Sequence, residues 1–243
     1  MDDKLRDAEL ERRLETWAAS QSGAELHPEI RRVVTGLLAS SLTPAKPLPS
    51  QGRLVLGFLV IFAAFAAGLI AVMDKAGFHL MTVVQMGCMA AILAGGGILF
   101  SLAVAWRMVP GSRQSLSLLF VLALCGFGVI GGIALLFPWR ASRAFVSEGW
   151  PCATMELMIA VPAAVVFWLV ARLGALFGGI GVGAAVGGLA VVLALAVLQF
   201  QCMFQQAPHL LVWHVGTAAI LIGSAVLIEK LLRYRSAAQR LTS

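Results

Sequence analysis

The chain is 243 residues long, 60% apolar and only 12% charged. That is about half the charged share of a soluble domain, which excludes an ordinary water-soluble globular fold, because too little polar surface remains to cover so much apolar side chain. The net charge is +6, and the four cysteines (Cys88, Cys125, Cys152 and Cys202) include no C-x-x-C pair, so neither a zinc ribbon nor a thioredoxin-type motif is signalled.

Residues 1–53 are polar, with eight Lys/Arg against eight Asp/Glu. They are too charged for the apolar stretch of a cleavable signal peptide, and the first apolar block is too long for one. Leu10, Leu14 and Trp17 fall at i, i+4 and i+7. Leu26, Ile30, Val33, Val34, Leu37 and Leu38 form a second stripe, with Arg31 and Arg32 off it. Two short amphipathic helices are therefore expected, the second opened by Pro28. Pro44, Pro47 and Pro49 then impose a stiff extended linker.

Six apolar blocks follow: Leu54–Met73, about Leu80–Trp106, Ser115–Phe137, about Ala153–Ala171, about Phe177–Phe200 and Leu210–Ile228. About 20 residues at a rise of ~1.5 Å each cross a ~30 Å hydrocarbon core. The first block is uncharged, and its insertion is favoured by on the order of 5 kcal/mol. A polar stretch with Arg140, Arg143 and Glu148 leads through Trp150-Pro151-Cys152 into the fourth block, which Pro162 should kink. Lys and Arg divide 15 to 3 between the two sides of this arrangement, and the richer side, which holds both termini, is expected in the cytoplasm. The basic charge is thus a topology signal, and no direct nucleic-acid partner is expected. The expected fold is an all-α polytopic membrane protein in the lipid bilayer, with six transmembrane helices and a short helical cytoplasmic N-terminal segment. Its parts are residues 1–50 for partner binding, 51–235 for the membrane domain and 236–243 as a cytoplasmic tail.

Gly179, Gly183 and Gly187 recur every four residues in the fifth span, a small-residue face that lets a neighbouring helix approach closely. A substrate path between Gly-lined helices is the competing use. Cys88 and Cys125 sit mid-span, where a thiol packs as a small hydrophobe. Cys152 opens the fourth span and Cys202 closes the fifth. Consecutive antiparallel spans put both at one surface, the extracytoplasmic one, where disulfides persist. A plain disulfide fits, closing a loop of about 50 residues and worth ~4 kcal/mol in the loop-entropy picture. A redox- or metal-responsive thiol pair fits as well, able to hold a thiophilic ion transiently; no resident cofactor is expected. Glu156 lies one turn after Cys152 on the same face. Near the boundary it can reach interfacial water, whereas deeper burial would make it a functional candidate. His209 and His214 flank the start of the sixth span near Cys202, so the spacing leaves a Cys/His metal site open. No phosphate-binding loop, H-E-x-x-H or G-x-S-x-G occurs, and no enzyme is expected.

Over roughly residues 34–235 the chain resembles the NrsF-type membrane negative regulators of extracytoplasmic-function sigma factors. The resemblance rests on Leu42-Thr43-Pro44-Ala45-Lys46-Pro47-Leu48 before the first span and Val109-Pro110-Gly111 after the second. It continues with Gly149-Trp150-Pro151-Cys152, Pro162, the glycine-rich fifth span, Cys202, and Trp213-His214 opening the sixth. It implies six spans in the bacterial inner membrane, a cytoplasmic N-terminal segment that holds a sigma factor, and two extracytoplasmic cysteines in stress sensing, here Cys152 and Cys202. The charged stretch at residues 3–20 and Ala45, where a larger apolar residue is usual, depart from the pattern.

The expected function is therefore a membrane-bound anti-sigma factor. Its first 50 residues sequester an extracytoplasmic-function sigma factor and release it on an extracytoplasmic, thiol-sensed stress, a metal or an oxidant. Fifty residues are too few for a core of their own, and their apolar stripes call for a partner surface. A small transporter or channel, and a membrane thiol oxidoreductase using Cys152 and Cys202, are the competing readings.

Overall fold

The computed structural model describes residues 50–73, 76–108, 117–140, 142–174 and 181–242, together with residues 12, 13, 16 and 32. The chain divides into two compact units, Met1–Pro47 and Leu48–Ser243. In the first, Arg12, Arg13, Thr16 and Arg32 are described, all helical, and Thr16 Oγ1 donates to the Arg12 carbonyl. The stripe residues Leu10, Leu14, Trp17, Leu26, Ile30, Val33, Val34, Leu37 and Leu38 lie outside the described residues, as does Gly179.

The second unit is helical, with no strand among the described residues. Its helices are α1 (Gln51–Val72), α2 (Val83–Met108), α3 (Leu118–Leu136), α4 (Phe145–Gly174) and α5 (Val182–Gln201). A helical turn at Ala207–His209 then runs into a π-helical segment, Leu210–Val215, and into α6 (Gly216–Thr242). A 3-10 turn, Ala76–Leu80, separates α1 from α2. Among the described residues, six stretches are long and apolar enough to cross a bilayer, the last being Ala207–Leu231. The outer surface is itself apolar, with Val60, Leu119, Phe127, Leu135, Met158 and Ile220 exposed. Such a belt suits the hydrocarbon of a bilayer, where helices satisfy their own backbone.

Local signals fix where these helices begin. Thr82 and Gln85 form a reciprocal capping box: Thr82 Oγ1 accepts from the Gln85 N–H at 3.2 Å, and Gln85 Oε1 accepts from the Thr82 N–H at 2.8 Å. α2 consequently starts at Val83 rather than Leu80. Ser142 Oγ accepts from the Ala144 N–H and donates to Glu148 Oε1 at 2.8 Å. α4 thus starts at Phe145 rather than Ala153, and Trp150-Pro151-Cys152 lie inside a helix instead of leading into one. α5 starts at Val182 behind Gly181, whose φ of 89° is the left-handed conformation that glycine adopts without strain.

α5 is the central helix. Fifteen of its 20 residues are buried, and it packs against α4, α2, α6 and α1. Its Ala, Gly and Val composition lets it be enclosed on all sides. A Cβ at Gly188 would run into the Phe100 ring of α2, and one at Gly187 would come 2.9 Å from the Ala225 Cβ of α6. Gly183 faces Glu229 of the same helix.

Candidate functional site

Cys152 lies two turns into α4, and Cys202 caps the end of α5. Close packing of these consecutive helices brings the two sulfurs within 3.8 Å across 50 residues of sequence. Cys202 Sγ also lies 3.6 Å from His209 Nε2. The rings of His209 and His214 are 5.6 Å apart. The two sulfurs and one ring nitrogen of each histidine all lie within 4.8 Å of one another. Cys202, His209 and His214 are buried, and Cys152 is half-buried.

The π-helical segment makes this convergence. His209 and His214 are five residues apart, a step that would turn them about 140° away from each other on an α-helix. The i→i+5 winding of Leu210–Val215 returns them to one face. Such a segment leaves no mark in hydrophobic periodicity, so sequence reasoning placed the histidines near the cysteines without orienting them.

Neighbouring groups hold the site in shape. Gly149 lies directly under the Trp213 indole, where a Cβ would collide with the ring. This contact presses the first turns of α4 against the π-helical segment, and Cys152 follows one turn later. Phe145 and Phe204 flank the His209 ring at centroid distances of 6.5 and 5.2 Å. The Cys202 carbonyl accepts from Gln205 Nε2 at 2.7 Å, and Gly77 of the 3-10 turn abuts the Cys202 backbone so closely that a Cβ would not fit. The Ala207 N–H donates to the Pro138 carbonyl at 3.0 Å, tying the loop after α3 to the loop after α5. Gly149 with Trp213, and Gly77 with Cys202, are contacts that sequence reasoning missed. A glycine next to a tryptophan in space is not adjacent in sequence.

Glu156 follows Cys152 by one turn of α4. It is fully buried, and neither carboxylate oxygen has a hydrogen-bond partner among the described residues. Of the two readings of Glu156, interfacial water and deeper burial, the structure shows burial: the α4 helix turns this side chain into the bundle. His209 Nδ1 and His214 Nε2 likewise have no hydrogen-bond partner among the described residues. The Cys202 thiol is held above the ordinary thiol range by its hydrogen bond with Cys152 and by burial. Two thiols and two imidazoles so close together can ligate a metal ion, and the thiols alone can close a disulfide.

The opposite end of α5 carries a second polar cluster. Glu229 of α6 accepts from the Gly181 N–H at 2.8 Å and the Gly183 N–H at 3.1 Å, capping α5 with a carboxylate. Its charge also faces Arg107 of α2, a buried side chain whose Nη1 donates to the Ala103 carbonyl at 2.8 Å.

The family model described as negative regulator of sigma F (NrsF) matches residues 38–234. The chain belongs to this family. The match spans the six membrane-length stretches and the Cys/His cluster, and the family's name makes its members negative regulators of a sigma factor. No curated protein and no solved structure matches the chain. In this NrsF-family chain the two remaining cysteines stand apart from the cluster. Cys125 is half-buried beside Gly96, whereas Cys88 is exposed on the outer face of α2. Cys88 therefore does not pack inside the chain as expected; its position on α2 points away from the bundle.

Proposed function

We propose that this NrsF-family protein is a membrane-bound anti-sigma factor of the bacterial inner membrane with both termini in the cytoplasm. Residues 1–50 sequester a sigma factor of the extracytoplasmic-function class. Cys152 and Cys202, at the extracytoplasmic surface, sense the stress that releases it, a thiophilic metal or an oxidant. Family membership supports the sigma-factor half of this reading. The observation that carries the sensing half is the 3.8 Å approach of two free thiols from separate helices. A change in their bonding alters how α4 sits on α5, and contacts in a close-packed Gly-rich seam respond to shifts of ~1–2 Å. The transporter alternative gains little from the interior. The cavity between α1, α2 and α5 has a volume of about 160 Å³ and is walled by Phe62, Ile70, Leu93, Ala196 and Phe200, with Gln199 as its polar group, which suits no polar substrate.

Two measurements test the proposal. Residues 1–50, tagged, should retain the cognate sigma factor on a column; failure to do so removes the anti-sigma reading. In cells, a sigma-dependent reporter should rise on exposure to Cd²⁺ in the wild type and stay flat in Cys152→Ser and Cys202→Ser. Normal induction in both variants removes the sensing reading.

A further inference from the structure

We propose that Cys152, Cys202, His209 and His214 form a four-ligand, tetrahedral centre for one divalent thiophilic metal ion, the chemical class of Zn²⁺ and Cd²⁺. The inference deepens the sensing reading above and rests on it for its regulatory meaning, though not for the binding itself.

Geometry is the first support. A tetrahedral ion with metal–sulfur bonds of about 2.3 Å and metal–nitrogen bonds of about 2.05 Å separates its two sulfurs by about 3.75 Å and a sulfur from a nitrogen by about 3.55 Å. The structure holds Cys152 Sγ and Cys202 Sγ at 3.8 Å, and Cys202 Sγ and His209 Nε2 at 3.6 Å. Two edges of the coordination tetrahedron are therefore already set, and the remaining ligand pairs lie within 4.8 Å. A disulfide would instead need the sulfurs at about 2.05 Å and makes no use of the imidazoles.

Unpartnered polar groups are the second support. Buried polar atoms are nearly always hydrogen-bonded. His214 Nε2 and both oxygens of Glu156 are buried with no such partner among the described residues. Glu156 is fully enclosed one turn behind Cys152. Glu156 is not among the four residues whose ligand atoms converge, so it stands beside the centre rather than as a ligand.

The ligand set also selects the ion. Two thiolates neutralise a divalent cation, so a buried centre carries no charge of its own. Tetrahedral S₂N₂ coordination suits Zn²⁺ and its heavier relatives, whereas hard Mg²⁺ and Ca²⁺ prefer oxygen. The π-helical segment carries His214 and sets it against His209 at its N-terminal edge, which accords with the frequency of such segments at functional sites.

The test uses the full chain, purified in detergent under reducing conditions with Cys88→Ser and Cys125→Ser to silence the other thiols. Titration with Cd²⁺ should give one ion per chain with sulfur-to-metal charge-transfer absorption, and Co²⁺ should give the visible bands of tetrahedral coordination. His209→Gln and His214→Gln should each weaken Cd²⁺ binding by at least tenfold and change the Co²⁺ spectrum. Glu156→Gln, which changes none of the four ligands, should leave the Co²⁺ spectrum intact. Closure of the Cys152–Cys202 disulfide by a thiol oxidant reports that each variant is folded. His214→Cys gives a second check: it should retain binding, with stronger charge-transfer absorption. Folded His209→Gln and His214→Gln chains that bind Cd²⁺ as tightly as the parent, with an unchanged Co²⁺ spectrum, overturn the four-ligand centre. Loss of binding in those variants together with normal reporter induction leaves the centre standing and removes only its role in sensing.

Discussion

A methyl group at position 149 has nowhere to go. Because the Trp213 indole lies where that Cβ would sit, Gly149→Ala must push α4 away from the π-helical segment, and overpacking of this kind costs roughly 1–3 kcal/mol. Cys152, one turn further on, moves with it. The expected outcome is a fall in the rate at which a mild oxidant joins Cys152 to Cys202, measured by gel shift, and unchanged joining would mean that the tryptophan yields instead. Gly126→Ala, at a position with open space around its Cβ, is the matching control and should leave joining unaltered. At this scale the cysteines were legible from sequence because span counting alone places them at one surface. Their histidine partners were legible only as neighbours, and Glu156 was legible only as a choice between water and burial. Which way a side chain points from a helix depends on what packs against that helix, and no local spacing records it.

At the scale of elements, the histidines depend on the winding between them. An alanine inserted after Val212 would set His209 and His214 six residues apart, about 120° away from each other on an α-helix. It should cost metal binding in the titration above even though all four ligands remain, and binding that survives would mean that the loop from Cys202 to Ala207 adjusts to compensate. The N-terminal stripes belong to the same scale. Leu14→Asp, Trp17→Asp, Ile30→Asp and Val34→Asp should each release the sigma factor without disturbing membrane insertion, since an unpaired charge is not accommodated in an apolar groove. If all four retain it in co-purification, the stripes serve another surface, such as the membrane itself. The six membrane-length elements were readable from apolar blocks, but their starts were not. The Thr82–Gln85 capping box and the Ser142–Glu148 hydrogen bond set the starts of α2 and α4, and apolar content is blind to both.

For the whole molecule, the 15-to-3 division of Lys and Arg predicts that reporter fusions after Ser50, Gly111 and Ser243 read cytoplasmic and those after Ala76, Ser142 and Gln205 read extracytoplasmic; an extracytoplasmic C-terminus would undo the proposed orientation. Within that frame α5 links the two polar clusters, with Cys202 at one end and the Glu229 cap at the other. Glu229→Gln should weaken that cap by about 0.3–1 kcal/mol and raise the reporter without any metal or oxidant, whereas a flat reporter would confine Glu229 to holding the fold. Built largely of small residues and packed against four neighbours, α5 is held like a shaft in a bearing, where a small shift along or about its axis disturbs less packing than bending aside. On the proposed sensing reading, a signal made at the Cys202 end acts by loosening the Glu229 cap at the other. Genetically, the cap is then downstream of the sensor, so Glu229→Gln should be epistatic to Cys152→Ser, and a chain carrying both changes should be constitutively open although its sensor is deaf.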